Sequence, residues 1–272
     1  MPELPEVETI RRDLDQEIRN RVITRVEVLN GGSVTGTSGR RFAAALRGRR
    51  FAGFGRRGKY LFFLLDSGKA LVSHLKMTGV LLHQAPHDPL PRTARIIFYF
   101  LSGDRLVFAD LRKFGFMQLS GDPYALPAIR KLGPEPLDRD FVPARLSEIL
   151  MRRTGPIKAV LLDQTAVAGL GNIYALEALH RAGVSPKRKA CSLKNAEIVK
   201  LHRAIVNVLK EAIAARGSSV DSYRDGRGRR GWFQVKHRVY GREGEKCFKC
   251  GTMIVKEQFR GRGTYWCSKC QH

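Results

Sequence analysis

The sequence predicts an α+β chain built from more than one domain. Three observations predict it. Short β-rich runs separated by turn signals fill residues 22–119. Helical periodicity replaces them after residue 143. Two Cys-x-x-Cys pairs then close a chain of 272 residues, long enough for two domains or one large one.

Residues 6–20 read as a helix. Val7, Ile10, Leu14 and Ile18 repeat on one face, and Pro5, Glu6 and Glu8 suit a first turn. Strand-like runs follow at 21–28, 51–55, 60–65, 70–74, 80–83, 95–101, 105–109 and 116–119. Asp66-Ser67-Gly68 and Ser102-Gly103-Asp104 mark turns between them. Ser38 is a candidate cap for one short helix through Leu46. Many short strands at this spacing suggest a sandwich or a barrel. Five prolines between residues 123 and 143 suggest an interdomain linker. Helices are expected at 145–152, 157–162, 173–182 and 193–215, the last with Ile198, Leu201, Ile205, Leu209 and Ile213 along one stripe. Residues 216–231, rich in glycine and arginine, should form a mobile loop.

Lys and Arg number 49 against 25 Asp and Glu, a net charge of +24. Such an excess makes a compact protein repel itself unless its partner is a polyanion. The cations are spread along the chain, with clusters at 47–59, 187–189 and 224–242. That spread fits a long surface contacting phosphates better than one basic tail. The longest clean apolar run, 96–101, is too short to span a bilayer. The first residues are acidic where a signal peptide would be basic and then apolar. No membrane partner and a cytoplasmic location are therefore expected.

Cys247-x-x-Cys250 and Cys267-x-x-Cys270 are separated by sixteen residues, a hairpin's length. This is tetrathiolate zinc spacing, and four thiolates close the coordination shell, so one structural Zn2+ is expected. Disulfides are the alternative, which a reducing cytosol disfavours. Cys191 stands alone and reads as a plain half-buried residue.

The chain starts Met1-Pro2-Glu3-Leu4-Pro5-Glu6. Removal of Met1 would leave the Pro2 ring nitrogen as a free secondary amine. An α-amino group titrates near ~8, so a usable fraction is unprotonated at neutral pH. Condensed with an aldehyde carbon, a secondary amine gives a cationic iminium, an electron sink. Glu3 beside it could shuttle protons. The same six residues also fit a plain lead-in to a helix.

Other constellations are ambiguous alone. Gly169-Leu170-Gly171-Asn172 precedes a helix, with Asn172 a candidate N-cap and exposed amides suited to phosphate, or it is a tight turn between packed helices. Phe114, next to Arg112 and Lys113, is either a wedge for a base stack or a strand-end core residue. Met77 is likewise either a wedge for a base stack or core, and His74 either bonds phosphate or satisfies a backbone carbonyl. Lys59 precedes an apolar strand and is either a phosphate clamp or solvated charge. Arg262, flanked by Gly261 and Gly263 in the zinc hairpin, favours nucleic-acid contact in a chain this basic.

These pieces occur together and in order in one family. The chain resembles the bacterial formamidopyrimidine-DNA glycosylases, bifunctional repair enzymes that excise oxidised purines. The resemblance rests on Pro2-Glu3-Leu4-Pro5-Glu6-Val7-Glu8-Thr9, Arg57-Gly58-Lys59-Tyr60, His74-Leu75-x-Met77-Thr78-Gly79 and Asp110-Leu111-Arg112-Lys113-Phe114-Gly115. It continues with Leu161-Leu162-Asp163-Gln164, Val167-Ala168-Gly169-Leu170-Gly171-Asn172-Ile173-Tyr174, Tyr240-Gly241-Arg242 and Gly261-Arg262-Gly263-Thr264. Leu4 sets the start apart from the Pro-Glu-Gly-Pro-Glu of the related endonuclease VIII branch.

The resemblance implies an N-terminal β-sandwich catalytic domain over 1–122, a linker over 123–143, a helix-two-turn-helix DNA-binding domain with a lesion loop over 144–233, and a zinc-finger β-hairpin over 234–272. It implies a monomer acting in the bacterial cytoplasm and nucleoid, with duplex DNA bearing oxidised purines or abasic sites held in a cleft between lobes. It makes Pro2 the nucleophile on the sugar of the flipped nucleotide and Glu3 the proton relay. β- and then δ-elimination follow, with Lys59 and Arg262 on phosphate. It makes Met77, Arg112 and Phe114 the filling of the vacated stack, with Arg112 reading the opposite cytosine. His74, Arg153, Lys158, Asn172 and Tyr240 become DNA contacts, and the loop near 218–234 covers the lesion base.

The chain departs from the family pattern in places. Thr93-Ala94-Arg95-Ile96 stands where His-x-His-Val is usual, so a phosphate contact passes to Arg95 or vanishes. Lys76 replaces a usual glycine, and Leu176 a small or acidic residue. The lesion loop is unusually basic at Asp225-Gly226-Arg227-Gly228-Arg229-Arg230. A non-catalytic zinc-ribbon DNA binder is a second reading, against which Pro2 and Glu3 count. An RNA-binding or ribosome-associated protein is a third, warranted by charge and zinc alone.

Overall fold

The computed structural model describes residues 1–272. The chain divides into two compact units, Met1–Arg130 with Ala215–Trp232, and Lys131–Ala214 with Phe233–His272. Residues 215–232, which follow the helices in sequence, thus cluster with the N-terminal unit.

The first unit opens with α1 (Leu4–Ile18), two residues earlier than the apolar period indicated. Glu3 is the N-cap, in a reciprocal capping box with Glu6, and proline occupies the first turn. The buried stripe Val7, Ile10, Leu14 and Ile18 is the expected one. A four-stranded antiparallel sheet runs in the order β1 (Ile23–Val28), β7 (Ala94–Phe100), β8 (Arg105–Asp110), β6 (Gly79–Gln84). A five-stranded sheet runs in the order β2 (Val34–Thr35), β9 (Phe116–Ser120), β5 (Ala70–His74), β4 (Tyr60–Leu65), β3 (Phe51–Arg57). Of its pairs only β2 with β9 is parallel. The short helix α2 (Gly39–Leu46) starts at Ser38, whose Oγ accepts from the Arg41 amide at 3.3 Å.

One core fills the space between the sheets, so the arrangement is a sandwich. Leu61, Phe63 and Leu65 of β4 meet Ile96, Phe98 and Phe100 of β7 and Leu106 and Phe108 of β8, and the α1 stripe packs on them. Phe51 is the aromatic centre, with Phe54, Phe63, Phe98 and Phe100 at centroid distances of 5.1–6.1 Å.

Strand register places three turns at one end of this unit. Arg57 pairs with Tyr60, leaving Gly58 and Lys59 as a two-residue hairpin turn. Tyr60 pairs with His74, and His74 with Phe116. Residues 75–78 therefore leave β5, and 111–115 enter β9, at the same end as Lys59.

The second unit is helical, with α4 (Pro143–Met151), α5 (Ile157–Leu162), α6 (Asn172–Ala182) and α7 (Asn195–Ala214). Ile198, Leu201, Ile205 and Leu209 of the expected stripe are buried. Gly183 closes α6 in the left-handed conformation at φ +75°. The hairpin β10 (Val255–Phe259) and β11 (Arg262–Trp266) turns through Arg260 and Gly261, both at positive φ. The proline-rich stretch is packed rather than open. It holds α3 (Pro127–Arg130), and Ile129, Glu135 and Phe141 are buried. No helix is long and apolar enough to cross a membrane.

Candidate active site and nucleic-acid interface

The N-terminal end of the first unit is built on α1. Pro2 and Glu3 are buried while Met1 is exposed, so Met1 can be removed without opening the core. The Glu3 amide donates to Glu6 Oε2 at 2.8 Å, and Glu6 Oε1 accepts from the Ser218 amide at 2.8 Å. One buried carboxylate therefore joins the start of the chain to residues 215–232. On the next turn Glu8 is held at a pKa of about 2. Burial raises it, but hydrogen bonds from Arg11 and Arg12 and the charges of Arg11 and Arg56 outweigh that.

Lys59 is buried in its hairpin turn, where Gly58 takes φ +55°. His74 lies across the strand pair, its ring edge-on to Tyr60 and stacked with Phe116. The Lys76 amide donates to His74 Nδ1 at 2.9 Å, so the neutral ring carries its proton on Nε2. Burial, then the charges of Lys76 and Lys59, push its pKa down to about 3. His74 is thus a neutral donor. Its Nδ1 accepts from a backbone amide.

Met77, Arg112 and Phe114 come together at the tips of the 75–78 and 111–115 turns. Arg112 Nη1 is 2.9 Å from Met77 Sδ, and its guanidinium lies 4.9 Å from the Phe114 ring centroid. Met77 is 43% and Phe114 54% exposed, so neither is core. Asp110, buried at the end of β8, fixes both turns. It accepts from Thr78 Oγ1, from the Arg112 amide at 3.2 Å and from the Gly115 amide at 2.7 Å. A Cβ on Gly115 would stand 2.8 Å from Phe108 Cζ, so the turn needs a glycine there. Arg95 Nε donates to the Asp110 carbonyl at 2.9 Å, beside the same turns.

The second unit holds Arg153, Lys158, Asn172, Tyr240, Arg262 and the four cysteines. Lys158 is 1% exposed, and its Nζ donates to Thr264 Oγ1 at 2.6 Å and to the Gly263 carbonyl at 3.3 Å. Burial and then the charge of Arg262 push its pKa down to about 8, against the pull of Glu257. Asn172 Nδ2 donates to the same Gly263 carbonyl at 3.0 Å. Asn172 is the first helical residue and Gly171 the N-cap, so the capping role read from sequence is not taken up. The side chain instead reaches the hairpin 91 residues away. Arg262, exposed at the start of β11, is therefore carried on a hairpin gripped by two donors, the buried Lys158 and the half-buried Asn172. It lines a pocket of about 250 Å³ with Lys158, Asp163, Phe259 and Arg260. Arg153 pairs with Asp163 at 2.5 Å. Glu177, wholly buried, accepts from the amides of Arg238, Val239 and Tyr240 at 2.9–3.0 Å and so fixes the backbone of Tyr240.

The sulfurs of Cys247, Cys250, Cys267 and Cys270 lie within 4.8 Å of one another. The Cys247–Cys270 and Cys250–Cys267 separations are 4.0 and 3.5 Å. A tetrahedron with Zn–S of ~2.3 Å asks for about 3.8 Å between sulfurs. The four thiols form a site for one zinc ion, with no position left for a reactant.

Comparison with known proteins agrees with this construction. The family model of the formamidopyrimidine-DNA glycosylase N-terminal domain matches residues 1–117, that of its H2TH domain residues 132–224, and that of a zinc finger found in FPG and IleRS residues 244–272. The formamidopyrimidine-DNA glycosylase of Desulfitobacterium hafniense is 46% identical over 273 residues, spanning 100% of both chains. The chain belongs to the formamidopyrimidine-DNA glycosylase family. A mutant FPG of Lactococcus lactis, solved with Fapy-dG containing DNA, superposes with a TM-score of 0.94 at 38% identity over 100% of both chains. The Lactococcus lactis Fpg solved with abasic site containing DNA gives 0.93 at 38% identity over 99% of both.

Lys76 stands in the turn that follows His74. Its φ is +52°, a conformation a glycine adopts without strain. Sequence reasoning assigned no role to Asp110 or Thr78 and read Glu6 only as a first-turn residue, although all three lie inside recognised motifs. Asp13 and Asp225 carried no local signal at all.

Proposed function

We propose that this protein is a bifunctional DNA repair enzyme. It excises oxidised purines, 8-oxoguanine and formamidopyrimidines, from duplex DNA and then cleaves the abasic strand by β,δ-elimination. The observation that carries the reading is the N-terminus, where a proline follows an exposed Met1 and sits buried at the head of a capped helix. Binding alone has no use for that arrangement. The family's named activity and the DNA-bound relatives support the same conclusion.

In this mechanism Met1 is removed and the Pro2 nitrogen attacks the anomeric carbon of the damaged nucleotide. The base departs and the C1′–O4′ bond opens as the N–C1′ bond becomes double, with the protons relayed by Glu3. The resulting iminium acidifies the neighbouring sugar carbon, whose proton is lost as the 3′ phosphate leaves. A second elimination releases the 5′ phosphate. Lys59 and Arg262 hold phosphates, and the neutral His74 adds an Nε2–H donor. Arg95, Arg153, Lys158, Asn172 and Tyr240 are the further DNA contacts of this reading. Met77, Arg112 and Phe114 fill the space vacated by the flipped base, which must leave the stack for chemistry to reach it. The zinc ion fixes the hairpin carrying Arg262 and takes no part in bond breaking. The enzyme acts as a monomer in the bacterial cytoplasm.

The test is borohydride trapping on a duplex with 8-oxoguanine opposite cytosine. The mature protein gives a covalent adduct and nicked product, and Pro2→Gly gives neither. A Pro2→Gly protein that traps and cuts like the parent removes Pro2 from the reaction. Salt-steep binding without scission identifies a non-catalytic DNA binder instead.

A further inference from the structure

The segment 215–232, which contains the loop expected to be mobile at 216–231, is fastened to α1. Its ends close on each other, the Trp232 amide donating to the Ala215 carbonyl at 2.8 Å. A Cβ on Gly231 would stand 2.2 Å from the Gly217 carbonyl oxygen, so the two limbs touch. Tyr223 is buried in the sandwich core and donates to the Arg216 carbonyl at 3.1 Å.

At the base lies a cluster of four charged residues, Asp13, Asp225, Arg216 and Arg229, the last with its Nε 3.3 Å from Asp225 Oδ2. Arg216 Nη2 is 2.6 Å from Asp13 Oδ2 and 2.5 Å from Asp225 Oδ2. Asp13 is 2% and Asp225 0% exposed. Asp13 also accepts from the Gly226 amide at 3.1 Å. Asp225 accepts from the Arg227 and Arg229 amides at 3.0 and 2.8 Å. Arg216 has φ +60°, a strained backbone that persists only where its surroundings over-determine it. The two buried carboxylates do so. Farther along α1, Glu17 pairs with Arg227 at 2.5 Å.

We propose that Asp13 and Asp225 clamp Arg216 so that residues 215–232 are already folded onto α1 in the DNA-free protein, which makes Asp13 a positioning residue for base excision. The second half rests on the function proposed above, in which this segment covers the lesion base. α1 begins beside Pro2, and Asp13 lies nine residues along it, about 14 Å from Leu4 at 1.5 Å per residue. One rigid helix therefore sets the distance between the nucleophile and the cover. Cleavage of a strand already lacking its base makes no use of that cover.

The experiment uses the full-length, zinc-loaded protein. In the DNA-free parent, hydrogen exchange at the amides of Gly226, Arg227 and Arg229 is slow, and exchange at the open-chain rate overturns the clamp. In Asp13→Asn, trypsin cuts after Arg224, Arg227 and Arg229 about tenfold faster, because cleavage tracks the open population. An unchanged rate overturns the proposal. Asp225→Asn gives the same readout should the first variant fail to fold. Asp13→Asn then loses about tenfold in 8-oxoguanine excision while cutting a preformed abasic strand within about twofold of the parent. Equal losses on both substrates overturn the positioning role. A parent that neither excises nor cuts defeats the proposed function, and exchange and proteolysis still decide the clamp.

Discussion

Asp110→Asn is the sharpest perturbation of the interface turns. The carboxylate is 1% exposed and accepts from Thr78 Oγ1, the Arg112 amide and the Gly115 amide. An amide of the same shape keeps one acceptor oxygen and turns an NH2 toward a donor. If the NH2 faces Gly115, a 2.7 Å bond to a charged acceptor is lost and a buried N–H is stranded. Losing such a bond costs ~1.5–3 kcal/mol, and a stranded buried donor ~1–3 kcal/mol. These costs overlap, and about 3 kcal/mol is the expected net destabilisation. The turn cannot slide to recover the bond, because Gly115 is already packed against Phe108. For a unit of this size each kcal/mol moves Tm by ~2–4 °C, so Tm falls by about 6–12 °C. Thermal unfolding followed by circular dichroism measures it, with affinity for a lesion duplex alongside. Phe114→Ala is the contrast, since an exposed tip changes stability by less than ~0.5 kcal/mol while weakening lesion-duplex binding. An Asp110→Asn protein that melts and binds with the parent refutes the assignment of Asp110 as the anchor of both turns.

Three further outcomes follow from the geometry. Lys76→Gly removes a left-handed strain of ~1–2 kcal/mol, partly offset by glycine's greater freedom when unfolded, so the denaturant midpoint rises modestly; a fall in the midpoint contradicts it. His74 has a folded pKa near 3 against an ordinary 6.5, so the unfolded chain takes up a proton that the folded chain refuses. Its contribution is complete above pH 6.5 and drains away as pH falls toward 3, so the parent's Tm drops more steeply over that window than that of His74→Gln; parallel curves defeat the reading. Removal of zinc unfolds the hairpin, frees the Lys158 and Asn172 donors from Gly263 and abolishes tight lesion-duplex binding, whereas chelated protein binding at full affinity denies the hairpin its role.

Much of the fold was legible because its signals are local. β-rich runs bounded by turn signals located the eight strands β1 and β3 to β9, and the Cys-x-x-Cys spacing located the metal site. β2 escaped because two residues carry no period, and it exists only through its partner β9. α1 was begun two residues late because glutamate is an unusual N-cap, effective here through Glu6. Asn172 was given a local capping role because its partner, Gly263, lies on a distant hairpin. The loop was read as mobile from its glycines and arginines, and the carboxylates that hold it come from α1, more than two hundred residues earlier. The site shows the same division. Pro2, Lys59 and Arg262 stand out by their own side-chain chemistry, whereas Asp110, Asp13 and Glu177, inside a motif or not, act by gathering backbone amides and side chains from separate turns, a role no spacing encodes.

The atom that the proposed mechanism bonds to the sugar can be identified directly. Borohydride-reduced complex on an 8-oxoguanine duplex is digested, and the modified peptide is mapped by mass spectrometry. The reduced sugar is predicted on the Pro2 nitrogen of a chain lacking Met1. Finding it on a lysine amine, Lys59 or Lys158 included, or on a chain that keeps Met1, contradicts the account.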